Sequence, residues 1–441
     1  MVECNGKKIL IDCGLYQGGR EIVEENAEPF GFDPAEIDHV LLTHAHLDHC
    51  GRLPLLVKQG FRGEIVTTSA TRELARIVLL DSAHLQEEEG RRHNHHFGEK
   101  SGSEPLYSIL DAFYVLDFFG RTASYGKPVD LCQGVRATFL DAGHILGSAS
   151  IFLELEEKGK RRTVLFSGDI GNSGRPILRD PVTPEKADVV VMETTYGDRL
   201  HKPFEPSVEE FYQAVKETFE QGGNVVIPTF ALERAQELLY FLREGVEKGR
   251  LSRSIQVFLD SPMAISATEI FEKHPECYGE KTAEMFRKRK DPFHLQGLHF
   301  TREAAESIAI NGVSGGAVIM AGAGMCTGGR IRHHLVNSLE RKDCAIIFVG
   351  FAAIGTLARK IIDGAGEVRI YGREVPVRAR IMTINGFSAH ADQAELLSWR
   401  RSIGGNPLTF LVHGEPEVMG RFASLLGGEV RMPARNESFE L

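Results

Sequence analysis

The stretch "THAHLDHC", Thr43 to Cys50, packs His44, His46, Asp48 and His49 into the pattern H-x-H-x-D-H. Two imidazoles two residues apart in a turn can converge on one metal ion, and an adjacent Asp-His pair can face a second. Imidazole and carboxylate without thiolate suit Zn(II), with Mn(II) as the second choice. A polar helix-cap region, with Thr43 or Asp48 capping, is the weaker reading. Four donors from one turn cannot close two sites. Any fold this chain adopts must therefore bring distant residues back to this turn.

The candidates for that return sit at strand ends. His144 lies in "LDAGHILGS", Asp169 in "VLFSGDIG" and His413 in "FLVHGE", each after an apolar run and followed directly or soon by glycine. Singly, each reads as a turn or capping residue. Together with the first motif they complete a donor set for two metals. Asp12, in "ILIDCG", has the same placement and is expected to orient a ligating histidine from behind.

The first third of the chain is strand-rich: "KKILIDC", "HVLLT", "GEIVTT", "VRATFLDA", "ASIFLELE", "RTVLFSGD" and "DVVVMETTY" are β-branched or alternating runs. Helical patterns follow His49 and span about Ala70 to Glu89. From about Ser207, the buried runs "NVVIPTF", "IQVFLDS", "GAVIMAG" and "CAIIFVG" alternate with helical stretches such as "ALERAQELLYFLREGVEKG". Continuous apolar strands alternating with helices predict a parallel sheet covered on both faces. After about Gly366 shorter strands return, so an α/β module inserted within another domain is expected. With 441 residues, roughly two to three domains fit.

No run approaches the ~18 apolar residues of a membrane span, and no signal-peptide pattern opens the chain. Seven widely spaced cysteines, without C-x-x-C, argue against a disulfide framework or a zinc ribbon and for a reducing, cytoplasmic setting. The net charge of −10 disfavours nonspecific coating of nucleic acid. Yet Ala321 to Arg380 holds ten Arg or Lys against five Asp or Glu, so charge is segregated.

Asp12, "THAHLDH", His144 and Asp169, in this order, resemble the metallo-β-lactamase fold, an αββα sandwich with metals at one edge. Glu193 in "METTYGDR", His390 in "NGFSAHADQ" and His413 in "LVHGE" resemble the additional motifs of β-CASP nucleases. "PTFALERAQE", "DSPMA" and "AGAGMCTGGRIRHHL" resemble the inserted β-CASP domain. The resemblance covers nearly the whole chain and points to the RNA-cleaving branch, which includes the nuclease subunit of the cleavage and polyadenylation factor, its prokaryotic homologues and RNase J. It implies a metallo-β-lactamase domain over 1–197 and 366–441, interrupted by a β-CASP domain over 198–365.

The resemblance further implies two zinc ions per chain. His44, His46 and His144 would hold one, Asp48, His49 and His413 the other, and Asp169 would bridge them. Single-stranded RNA would be hydrolysed to 5′-phosphate and 3′-hydroxyl ends, with His390 as general acid and Glu193 holding its tautomer. DNA-directed relatives typically carry valine at the position of His413, so histidine here resembles the RNA branch. A DNA nuclease of the same fold and a non-catalytic scaffold are the alternatives. Scaffold relatives tend to lose ligands, and none is missing here. A homodimer and an RNA-processing complex both stay open as assemblies.

"GAGMCTGGRIRHHL" lacks the G-K-[ST] ending of an NTPase loop. A helix opening near Gly328 can present N–H groups to an RNA phosphate, with Arg330 and Arg332 supplying charge; a tight packing turn is the competing reading. Ser388 is a phosphate-binding candidate or a turn hydroxyl. "RRHNHHFGEK", with His93, His95 and His96, reads as a solvated loop, and "FRKRK" as a solvated basic helix face. Relatives begin with strands ahead of "GKKILIDCG", so an N-terminal strand is expected to be missing. They often carry Gln at Ala352 and Gly at Ala358, a departure that bears on RNA positioning. No KH-type domain is appended, so substrate selection is expected from the β-CASP module or from partners.

Overall fold

The computed structural model describes residues 1–16, 24–97, 104–350 and 352–441. The chain forms two compact units, one of Met1–Leu200 with His390–Leu441, the other of His201–Ala389.

Two sheets build the first unit. One has five strands in the order Val2–Cys4, Lys7–Ile11, His39–Leu41, Glu64–Thr68 and Phe119–Ala123. Its first pair is a hairpin turned by Asn5 and Gly6 at φ 49° and 70°, the type I′ turn that Asn-Gly favours. Its other pairs are parallel. The second sheet has seven strands in the order Val430–Arg431, Leu408–Val412, Val189–Glu193, Lys160–Phe166, Ala149–Glu157, Val135–Asp141 and Pro128–Cys132.

Alternation along Val135–Asp141 sorts the side chains between two layers. Val135, Ala137 and Phe139 face inward and pack with Ile9, Leu41, Val66, Ile151 and Phe410 between the sheets. Burial of one such phenylalanine is worth roughly 1.5–3 kcal/mol. On the opposite face, Leu140 and Phe152 lie against Met192, Leu396, Trp399 and Phe422, the last three on helices Gln393–Ser402 and Pro416–Leu426. Helix Ser69–Phe97 packs on Glu64–Thr68 and Phe119–Ala123, beside helices Leu47–Cys50 and Ile109–Tyr114. The αββα order expected from the sequence is the order found.

The second unit is a six-stranded parallel sheet, ordered Leu298–Phe300, Gln256–Asp260, Ala317–Ala321, Val225–Pro228, Ala345–Phe348 and Arg380–Thr383. Its three central strands are buried throughout, as continuous apolar runs require. A second hairpin, Glu367–Ile370 with Arg373–Pro376, joins that core through Val368, Ile370 and Val375.

Three features differ from expectation. The boundary expected at 365 falls inside the second unit, because Arg380–Thr383 pairs with Ala345–Phe348 and the unit runs on to Ala389. His93, His95 and His96 sit on a helix that continues through Gly90 to Phe97 rather than in a loop, while Gly98, Glu99 and Lys100 of that stretch lie outside the described residues. Phe119–Ala123, Pro128–Cys132 and Leu298–Phe300 are strands that the periodicity does not announce. Among the described residues no helix is long and apolar enough to cross a membrane.

Candidate metal centre

The first unit carries every proposed metal donor, each at the end of a strand or in the turn after one. Strand His39–Leu41 delivers His44 and His46; His46 then caps the helix Leu47–Cys50, whose first turn holds Asp48 and His49. The segment after strand Lys7–Ile11 runs alongside this turn. Cys13 N–H donates to the carbonyl of His49 at 2.7 Å and Leu15 N–H to that of Leu47 at 2.8 Å. The approach is so close that a Cβ on Gly14 would stand 1.6 Å from the Asp48 carbonyl oxygen. Glycine is required there for contact, not for its φ.

Asp12, at φ 59°, aims its carboxylate into the turn. Its oxygens accept from Thr43 N–H at 2.7 Å and from Thr43 Oγ1 at 2.8 Å, and lie 2.7 Å from His49 Nδ1. This fixes the His49 ring with Nε2 forward, as a ligand-orienting carboxylate does. Ser148 Oγ accepts the His144 N–H at 3.0 Å and so pins the next donor. Register pairs Glu193 with Val412, which sets Glu193 and His413 at adjacent strand ends.

Asp169 stands at the centre. Its Oδ2 lies 3.4 Å from His44 Nε2 and 3.5 Å from His144 Nε2; its Oδ1 lies 3.3 Å from His49 Nε2 and 3.5 Å from His413 Nδ1. His46 Nδ1 closes the first group, 3.1 Å from His44 Nε2 and 3.2 Å from His144 Nε2. Asp48 Oδ2 closes the second, 3.5 Å from His413 Nε2. Four donors at about 2.1 Å around a tetrahedral ion stand roughly 3.4 Å apart, and His44, His46, His144 and Asp169 have that spacing. Asp48, His49 and His413 converge as a second group of donors, with His413 turning Nε2 to Asp48 and Nδ1 to Asp169. His49 Nε2 and Asp169 Oδ1 are buried without a hydrogen-bond partner, which fits atoms reserved for a cation.

The two groups differ in charge. Burial holds the imidazoles of His44, His46 and His144 below their usual range, His46 down to about 3, so these three are neutral and ready to ligate. The carboxylate of Asp169 raises His413 to about 9 against the opposing effect of burial. Burial also opposes charge on His49, but Asp169 and Asp12 outweigh it and hold that ring well above its usual range.

Beside this cluster, the Glu193 carboxylate is buried and accepts from Ile170 N–H at 2.6 Å. Both its oxygens lie 3.3 Å from His390 Nδ1. His390 is anchored by an antiparallel bridge to Gly171 and by Ala391 N–H donating to Ile170 at 2.7 Å. Burial works against protonation of His390, and the Glu193 charge more than restores it. The pair has the geometry of an oriented proton donor.

Ser388, Arg330 and Arg332 belong to the second unit. Ser388 follows the short turn Asn385–Phe387 and precedes His390 by two residues. Arg330 is turned inward. Its guanidinium donates to Asp260 Oδ1 at 2.7 Å and to the Thr301 and Arg302 carbonyls, while His334 and Ser307 take the other Asp260 oxygen at 2.6 Å. That network matches the packing-turn reading of the glycine-rich stretch. The guanidinium of Arg332 lies over the Tyr371 ring, 4.5 Å from its centroid.

Sequence reasoning missed the supporting hydroxyls. Thr43 orients Asp12 and lies inside the motif already singled out; Ser148 and Thr195, the latter with Oγ1 3.2 Å from His413 Nδ1, carry no sequence signal of their own.

Three family descriptions match the chain: the metallo-beta-lactamase superfamily over residues 1–118, the Beta-Casp domain over 235–361, and a Zn-dependent metallo-hydrolase RNA specificity domain over 374–433. The chain is 41% identical over 430 residues to Ribonuclease TTHA0252 of Thermus thermophilus, covering 97% of this chain and 93% of that protein. It is 31% identical over 432 residues to Transcription termination factor FttA of Methanocaldococcus jannaschii, covering 96% of this chain and 65% of the relative. An RNase J-like protein of that organism is 29% identical over 435 residues, with 98% and 93% covered.

Proposed function

This chain belongs to the β-CASP metallo-hydrolases of the metallo-β-lactamase superfamily, and on that premise we propose that it is a two-zinc ribonuclease acting on single-stranded RNA. It is a metal-dependent hydrolase. The observation that carries the finer reading is Asp169, whose two oxygens face two separate histidine groups. His44, His46 and His144 would hold one ion, and Asp48, His49 and His413 the other. When bound, the ions supply the Lewis-acid charge for an in-line displacement at phosphorus.

The chain's own residues do the rest. Asp12 holds His49 in register. Glu193 keeps the proton of His390 on Nδ1 and favours the charged imidazolium, so that Nε2 can protonate the departing 3′-oxygen. The products would carry 5′-phosphate and 3′-hydroxyl. An RNA substrate is supported by the RNA specificity domain matched over 374–433 and by the ribonuclease names of two relatives. Seven free cysteines support a cytoplasmic setting.

The test is zinc-loaded protein incubated with end-labelled single-stranded RNA and, side by side, with single-stranded DNA. RNA cleavage absent from a His46→Ala control is expected. No cleavage above that control, with zinc or manganese and across varied RNAs, would sink the reading, and faster cleavage of DNA would move it to the DNA branch.

A further inference from the structure

We propose that His333, Tyr371 and Arg332 form an exposed stack on the second unit that binds single-stranded RNA away from the bond being cut. The proposal rests on the ribonuclease reading.

Tyr371 and Gly372 form the tip of the hairpin Glu367–Ile370 with Arg373–Pro376, at φ 50° and 78°. Such a turn takes Asn and Gly readily, whereas tyrosine in the left-handed region is strained. The tyrosine is nonetheless held in a defined place. Its ring stacks on His333 with centroids 4.7 Å apart and planes 28° apart, and its hydroxyl lies 3.0 Å from His333 Nε2. The Arg332 guanidinium carbon is 4.5 Å from the same ring centroid. Below the tip, Val368, Ile370 and Val375 are buried in the core, so the hairpin is already anchored without Tyr371. Tyr371 is 48% exposed and His333 is exposed beside it.

The charge at the stack favours an anion. The Arg332 guanidinium sits on the Tyr371 ring, and Arg332 has no ion-pair partner among the described residues. On the hairpin strands Arg369 and Arg373 are balanced by Glu367 and Glu374, with Arg369 opposite Glu374, so the unbalanced charge is that of Arg332. Stacked π-faces beside an unpaired guanidinium match an unpaired nucleic-acid strand, which offers bare bases to stack and phosphates to pair. A duplex hides its base faces, and an acidic peptide would leave the aromatic stack unused.

The test uses the zinc-loaded protein and the variants Tyr371→Asn, Tyr371→Trp and His333→Ala. The turn favours asparagine, so the first variant keeps the hairpin. For a long unstructured RNA, Tyr371→Asn and His333→Ala should each raise KM about ten-fold, and Tyr371→Trp should change it little. The kcat, the hydrolysis of bis(p-nitrophenyl) phosphate and the Tm should stay at wild-type values. An unchanged KM overturns the proposal. So does a raised KM that comes with a lower Tm and slower diester hydrolysis, which assigns the stack to holding the hairpin. If the wild type cuts no RNA, the ribonuclease reading fails, and fluorescence anisotropy of labelled RNA on the same variants still decides this one.

Discussion

Asp169 gives one oxygen to each histidine group, so its replacement acts on both at once. Asp169→Asn should lower zinc content toward zero and abolish cleavage, read by elemental analysis and by RNA assay. Asp12→Asn should weaken zinc roughly 10- to 100-fold, most at the group containing His49, which Asp12 touches directly, and less at the group of His44, which it reaches through the Thr43 hydroxyl. Proton bookkeeping separates the groups too. In the metal-free protein at pH 7, His49 and His413 hold protons that an ion must displace, whereas His44, His46 and His144 do not. Calorimetry in buffers of different ionisation enthalpy should show proton release for the second ion and almost none for the first. His413, raised from 6.5 to about 9, stabilises the metal-free fold fully below pH 6.5, and that contribution fades as pH rises through 9. The Tm of chelator-treated protein should therefore fall across that window. Glu193→Gln should move the alkaline limb of the kcat/KM profile to lower pH, because Glu193 is what keeps His390 protonated.

Short elements decide how precisely these residues meet. The turn from His44 to Cys50 is held by the backbone of Cys13 and Leu15 at a distance that only glycine at position 14 permits. Gly14→Ala should destabilise the fold by about 2 kcal/mol and strip zinc from the group of Asp48 and His49 first, measured by denaturant melts and zinc titration. Edge strands explain most of what the sequence left unread. Phe119–Ala123 buries only its two ends, and Pro128–Cys132 begins with a proline that an edge strand tolerates. Neither shows the alternation that a half-buried strand needs. Arg380–Thr383 is half-buried along its whole length at the edge of the parallel sheet, so nothing in its pattern told which sheet it joins. His144, Asp169 and His413 were legible for the opposite reason: each follows a strand that finishes on a short apolar run, where a lone donor stands out. Thr43, Ser148 and Thr195 act through single hydroxyls, and no periodicity marks those.

On the scale of the molecule, the donor set belongs entirely to the first unit. Zinc should therefore raise the melting temperature of that unit alone. Scanning calorimetry should show two transitions of which one moves with chelator, by about 2.7 kcal/mol of stabilisation at a hundred-fold excess over Kd. The order of the chain adds a further consequence. Strand Leu408–Val412 takes its place beside Val189–Glu193 only after 219 residues beyond Glu193 have been made, and it then brings in His413. During synthesis the growing chain carries six of the seven donors and lacks the last. A nascent copy still tethered to the ribosome and to its own message thus holds an unfinished centre, and competence to cut would arrive only with strand Leu408–Val412 and the histidine that follows it.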